Sequence, residues 1–126
     1  MTRFLVLLAL PCLVGCVAMR GADTVTYEAG DPELAEASVE NGVWESAPWS
    51  APDAPWLDYP AQTTLDFPHT LGRAPRVVLV YLSFDPLGTA SALAAGDLSR
   101  VVSVDAERLS IRNETGADFY ARVVAF

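Results

Sequence analysis

The sequence predicts an all-β protein: a small antiparallel β-sandwich, preceded by a cleavable signal peptide and an acidic, mostly irregular tether. Three observations carry this prediction. Apolar runs of strand length alternate with turn-forming residues from Ala61 to Phe126. Upstream, ten acids and no bases lie between Gly21 and Asp66, and large apolar residues are few up to Gly42. The first residues combine a cationic end with a short apolar run.

The signal comprises the amino terminus, Arg3 and the apolar stretch Phe4 to Ala18, which is broken by Pro11 and Gly15. That stretch is 15 residues long, and a spanning helix needs roughly 20. A signal anchor or a buried helix, and ordinary secretion with cleavage after Ala18, are the alternatives. Leu13-Val14-Gly15 directly before Cys16 resembles the lipobox of bacterial lipoproteins. The resemblance implies removal of residues 1–15 and a diacylglyceryl thioether with an N-acyl chain on Cys16. Each buried methylene is worth about 0.8 kcal/mol, and more than one chain gives stable anchoring. Val17, where an Asp favours inner-membrane retention in Gram-negative lipoproteins, implies the outer membrane. With Cys12 lost and Cys16 acylated, neither of the two cysteines is left for a disulfide.

The net charge of −8 and a sequence pI near 4.4 exclude the basic footprint that nucleic-acid binding needs. Residues 16–42 are read as the acidic tether. A short helix is expected over 32–41, with Asp31 as N-cap, Pro32 at the first helical position and Gly42 just past its end. No Ca²⁺-loop spacing occurs there, and no metal site is expected.

Residues 43–60 hold all three tryptophans and four prolines, which predicts an extended path without a helix or central strand. The rings are expected to enlarge the core of the following domain. The other reading is a sugar-stacking platform of Trp49, Trp56 and Tyr59. Size favours burial, because residues 61–126 alone make a small domain without disulfides.

In 61–126, Gln62–Phe67 alternates with Leu65 and Phe67 on one side. Arg76–Phe84 is the strongest strand, apolar on both faces and therefore central. Thr89–Ser99 is irregular or a helical turn, and Arg100–Val104 is a short strand. Glu107–Arg112 and Asp118–Phe126 are expected to form a hairpin around Asn113–Ala117. Its register would set Ile111 opposite Phe119 and Arg112 opposite Asp118. It would also set Arg108 opposite Arg122, a like-charged pair. Either acids from the upstream half compensate that pair or an anionic ligand does.

The strand order from Leu65 through Ala74-Pro75-Arg76-Val77-Val78 to Val123-Val124-Ala125 is similar to the small β-sandwiches of H-type lectins and phage tail-fibre tips. That resemblance implies glycan binding or trimerisation and assigns no binding residue. An enzyme is not expected. His69 is the one histidine, and neither a G-x-S-x-G elbow nor a lysine-containing phosphate loop is present. The reading is a lipid-anchored structural or interaction module of the cell envelope, without a cofactor beyond the lipid on Cys16. Its partner is an envelope protein or a glycan. A carbohydrate-binding lipoprotein is the alternative, and a small extracytoplasmic hydrolase the second.

Overall fold

The protein is a small β-sandwich, seen in a computed structural model that describes residues 23–126. The signal sequence, the lipobox Leu13–Cys16 and residues 17–22 lie outside the described residues. Ten strands follow in chain order: β1 Asp23–Thr26, β2 Ser38–Glu40, β3 Val43–Glu45, β4 Leu57–Tyr59, β5 Thr63–Pro68, β6 Val78–Ser83, β7 Ser91–Leu93, β8 Arg100–Val104, β9 Arg108–Arg112 and β10 Phe119–Ala125. The first sheet runs β1-β5-β9-β8. The second runs β2-β3-β10-β6-β7, with β4 also on β10.

Period-2 alternation builds the core between the sheets. Leu65 and Phe67 of β5 and Leu109 and Ile111 of β9 face Val80 and Leu82 of β6 and Ala121, Val123 and Ala125 of β10. Trp44 of β3 bridges the layers by stacking on Phe67, centroids 5.4 Å apart. The strand β6 is central, between β10 and β7. Its outward Tyr81 lies under a second apolar cluster of Ala47, Ala54 and Trp56, so both of its faces are covered.

The hairpin of β9 with β10 does not form. The two strands lie in different sheets, and residues 113–117 cross between the layers. Asn113, fully buried, organises the crossing. Its amide nitrogen donates to the carbonyls of Ala117 at 2.8 Å, Pro60 at 3.1 Å and Tyr59 at 3.2 Å. Its Oδ1 accepts from the Thr115 N–H at 2.9 Å and hydroxyl at 2.7 Å. A five-residue loop suits a hairpin and a crossover equally, and these bonds select the crossover.

Nor is there a helix over 32–41. After Asp31 the chain makes one 3-10 turn, Pro32–Leu34, and then enters β2. Asn41 and Gly42, at φ 52° and 77°, form the two-residue turn that pairs β2 with β3. Both central residues have positive φ, the preference of Asn-Gly hairpin turns. Gly42 therefore closes a hairpin rather than ending a helix.

From Asp23 onward the expected tether is part of the sandwich. The strand β1 pairs with β5 in parallel, the exception in an otherwise antiparallel set of pairings among the described residues. Tyr27 and Leu34 enter the core. A parallel pair needs a long crossover, and the chain between β1 and β5 supplies it. Strands β3 and β4 likewise replace the two ends of the segment expected to be extended.

Candidate functional site

Two features of the surface stand out, one on the outer face of the second sheet and one on its open flank. The first grows from β10. Its free side is shared: β4 pairs with Phe119–Ala121 and β3 with Val124 and Ala125. Between them, residues 46–56 loop outward over the sheet. Ser46 stitches the loop's start to β10, its N–H donating to the Val123 carbonyl at 3.0 Å and its Oγ accepting from the Val123 N–H at 2.9 Å.

Arg122 points outward into this loop yet is 0% exposed. Its Nε donates to the Ala47 carbonyl at 2.6 Å and its Nη2 to Glu45 Oε1 at 2.5 Å. The guanidinium lies 3.8 Å from the ring centroid of Trp49 and 5.5 Å from that of Tyr81, a doubly aromatic cation–π site. Burial lowers its pKa and the Glu45 carboxylate opposes that. Nη1 has no hydrogen-bond partner among the described residues.

Trp49 covers this cation and is 58% exposed. Trp56 and Tyr81 meet it edge-on at 6.1 and 5.7 Å. Beside it a cleft of about 160 Å³ is lined by apolar side chains, among them Pro48, Pro52 and Leu87. The three rings expected as a stacking platform separate here. Trp56 is buried, and Gly88, at φ +68°, lies so close to its ring that a Cβ there would collide with it. Tyr59 is buried in the core, its hydroxyl 3.0 Å from Ser99 Oγ, and burial pushes its pKa up. Only Trp49 of the three offers a ring to a ligand, because Tyr59 fills the core between the sheets and Trp56 the apolar cluster outside β6.

Arg108 and Arg122 lie on different sheets and share no anion site. Each has its own acid, from the acidic stretch in both cases. Arg108 Nε donates to Asp66 Oδ1 at 2.5 Å, Nη1 to Glu28 Oε2 at 3.3 Å and Nη2 to the Tyr27 carbonyl at 2.8 Å. Asp66 also accepts from the Ser110 hydroxyl at 2.5 Å. Burial alone would lower the Arg108 pKa, but Asp66 and Glu28 outweigh it and raise it.

The second feature is the flank where β7 and β8 end their sheets. Every residue of both strands is exposed. Phe84 is 79% exposed and Val102 54%, and Leu93, Leu98, Val101 and Val104 are exposed as well. A groove of about 360 Å³ opens there, lined by Leu82, Phe84, Ala92, Ala94, Leu98 and Phe119. Sequence reasoning missed this flank, although the run Val101-Val102 before Ser103-Val104 breaks simple alternation.

His69 is buried, with Nε2 2.8 Å from the Asp105 carbonyl oxygen. Among the described residues no group of three His, Cys, Asp or Glu side chains is placed to hold a metal ion. No protein-family model, curated protein or solved structure matches this chain.

Proposed function

We propose that this protein is a lipid-anchored envelope lipoprotein whose sandwich acts as a structural and interaction module at the outer membrane. The observation that carries the interaction role is the apolar flank of β7 and β8. Large exposed apolar patches mark interaction sites, and Phe84, Leu93, Leu98, Val101, Val102 and Val104 are all exposed there.

The anchor rests on the Leu13-Val14-Gly15-Cys16 pattern. Six residues, 17–22, separate Cys16 from Asp23, the first described residue. At 3.3–3.6 Å per residue their greatest reach is roughly 25 Å, so the sandwich would be held close to the bilayer.

Metabolic labelling with a fatty acid tests the anchor. The wild-type chain is expected to take up label and to sediment with membranes. Cys16→Ala is expected to do neither, and a Cys16→Ala chain that keeps the label overturns the reading. Glycan binding is supported by the exposed ring of Trp49 alone. Under that reading Trp49→Ala abolishes the fluorescence response to polysaccharide, and an unchanged response removes it.

A further inference from the structure

The open flank has a feature that points to its occupant. We infer that β8 pairs antiparallel with β8 of a second copy of this chain, across a two-fold axis between Val102 and Ser103. The inference deepens the interaction role proposed above and rests on it.

The six residues Arg100-Val101-Val102-Ser103-Val104-Asp105 are complementary to themselves when reversed. In the register centred between Val102 and Ser103, Arg100 lies opposite Asp105 of the second copy, Val101 opposite Val104, and Val102 opposite Ser103. Shifting the centre by half a residue sets Arg100 opposite Val104 and leaves both charges unmatched. Directly opposed residues share a face of the sheet, and the Val101–Val104 pair meets this requirement. Val101 and Val104 pair with the core residues Ile111 and Leu109, so both point inward. Arg100 pairs with Arg112, and Ser103 with Ser110, on the outer face.

The bulge between Val101 and Ser103 places Val101 and Val104, three residues apart, on one face. In the two-fold register the two bulges meet at the centre and the ladder closes at its ends. Two valine pairs would then continue the core from one copy to the other, flanked outside by two Arg100–Asp105 ion pairs. An isologous contact of this kind closes on itself and yields a dimer.

The edge is available for it. It carries neither lysine nor proline, two residues that commonly blunt free edges. Among the described residues Arg100 is engaged only by Asp97, at 3.3 Å, and both are well exposed. Asp105 uses Oδ1 to hold the N–H groups of Glu107 and Arg108, both at 2.8 Å. Its other oxygen accepts no bond within the chain among the described residues and remains for Arg100 of the second copy.

Disulfide trapping in cells tests the register on the full-length chain. Chains carrying Val101→Cys are co-expressed with chains carrying Val104→Cys, and envelopes are oxidised and run without reductant. A mixed-chain dimer band is expected, with no band when either variant is expressed alone. Adding Arg100→Asp to both chains sets like charges opposite one another at both ends. Association is expected to weaken about ten-fold, and the band to fade, as two cross-strand pairs turn from attraction to repulsion.

Equal bands from single and mixed expression, or no band in the mixed case, overturn the pairing. So does a wild-type chain that sediments as a monomer in mild detergent at every concentration. A disulfide dimer of the wild-type chain would instead reveal a free thiol at Cys16. That outcome defeats the lipid-anchor reading and leaves the β8 register to be judged by the cysteine variants.

Discussion

The sandwich has two flanks made of short edge strands, and they end in opposite states. On one, β1 and β2 are joined by residues 27–37, which fold over the gap between the sheets. Tyr27 and Leu34 plug it, and Arg108 locks it from outside through Tyr27, Glu28 and Asp66. On the other, β7 and β8 are joined directly by the short segment 94–99, and every residue of both strands is exposed. Local strand content does not separate the two. The difference lies in where spare chain is available. The acidic segment has residues to fold back, whereas the connection from β7 to β8 is just long enough to change sheets. An edge left uncovered by its own chain is a surface for another.

Substitutions on the two flanks are expected to differ most in stability. Leu34→Ala removes a buried plug and is expected to cost about 2–5 kcal/mol. The matching change on the open flank, Leu93→Ala, is expected to stay within about 0.5 kcal/mol. Denaturant melts of both variants measure the contrast, and equal losses would erase it.

Arg108→Met is expected to cost about 1–3 kcal/mol, since Asp66 then loses its charged donor in a part-buried site. The readout is the midpoint of a urea melt, with hydrogen exchange rising at the Tyr27 amide, which donates to the Asp66 carbonyl at 2.8 Å.

Acid is expected to act on the open flank. The N–H donors of Arg108 and Glu107 hold the Asp105 carboxyl below its ordinary value. Burial pushes Asp85 up, but the N–H groups of Thr89 and Leu87 outweigh it and hold that carboxyl low too. A depressed folded pKa contributes stability that is present above the unfolded value of 3.8. It is lost as pH falls through the folded value. Amide exchange at residues 87, 89, 107 and 108 is therefore expected to be flat from neutral pH to about 5 and to quicken, relative to intrinsic rates, below about 4.

The smallest expected effect is optical. Trp44 and Trp56 are buried and Trp49 is exposed, so Trp49→Phe is expected to remove the red-shifted, acrylamide-accessible part of the emission and leave the blue-shifted part. Loss of the protected emission instead would place the wrong ring outside.

Parts of this arrangement are legible in the sequence for simple reasons. Leu65 and Phe67 alternate with polar residues because β5 has one face on the core, and they are fully buried. Arg108 and Arg122 had to meet acids, and the acidic half of the chain was the nearest source. Other parts hide. Asn113 looks like a turn residue, and only the five bonds made by its amide show it to be the pivot between layers. Asn41-Gly42 suits a hairpin turn, but the helix-start pattern at Asp31-Pro32 competes with it and wins on local evidence. Trp49 and Trp56 both follow Ala-Pro, yet one is exposed and the other buried.

The sequence by itself determined the all-β class, the residues that face the core along β5 and β9, and the asymmetry of charge that supplies acids to the arginines. Those follow from local alternation and composition. Only the tertiary structure decided that β9 and β10 part company, that the acidic segment closes one flank, and that β7 and β8 leave the other open. A period of two tells each strand which face to bury but says nothing of its neighbour, and the neighbour is settled by buried polar contacts and by where the chain has length to spare.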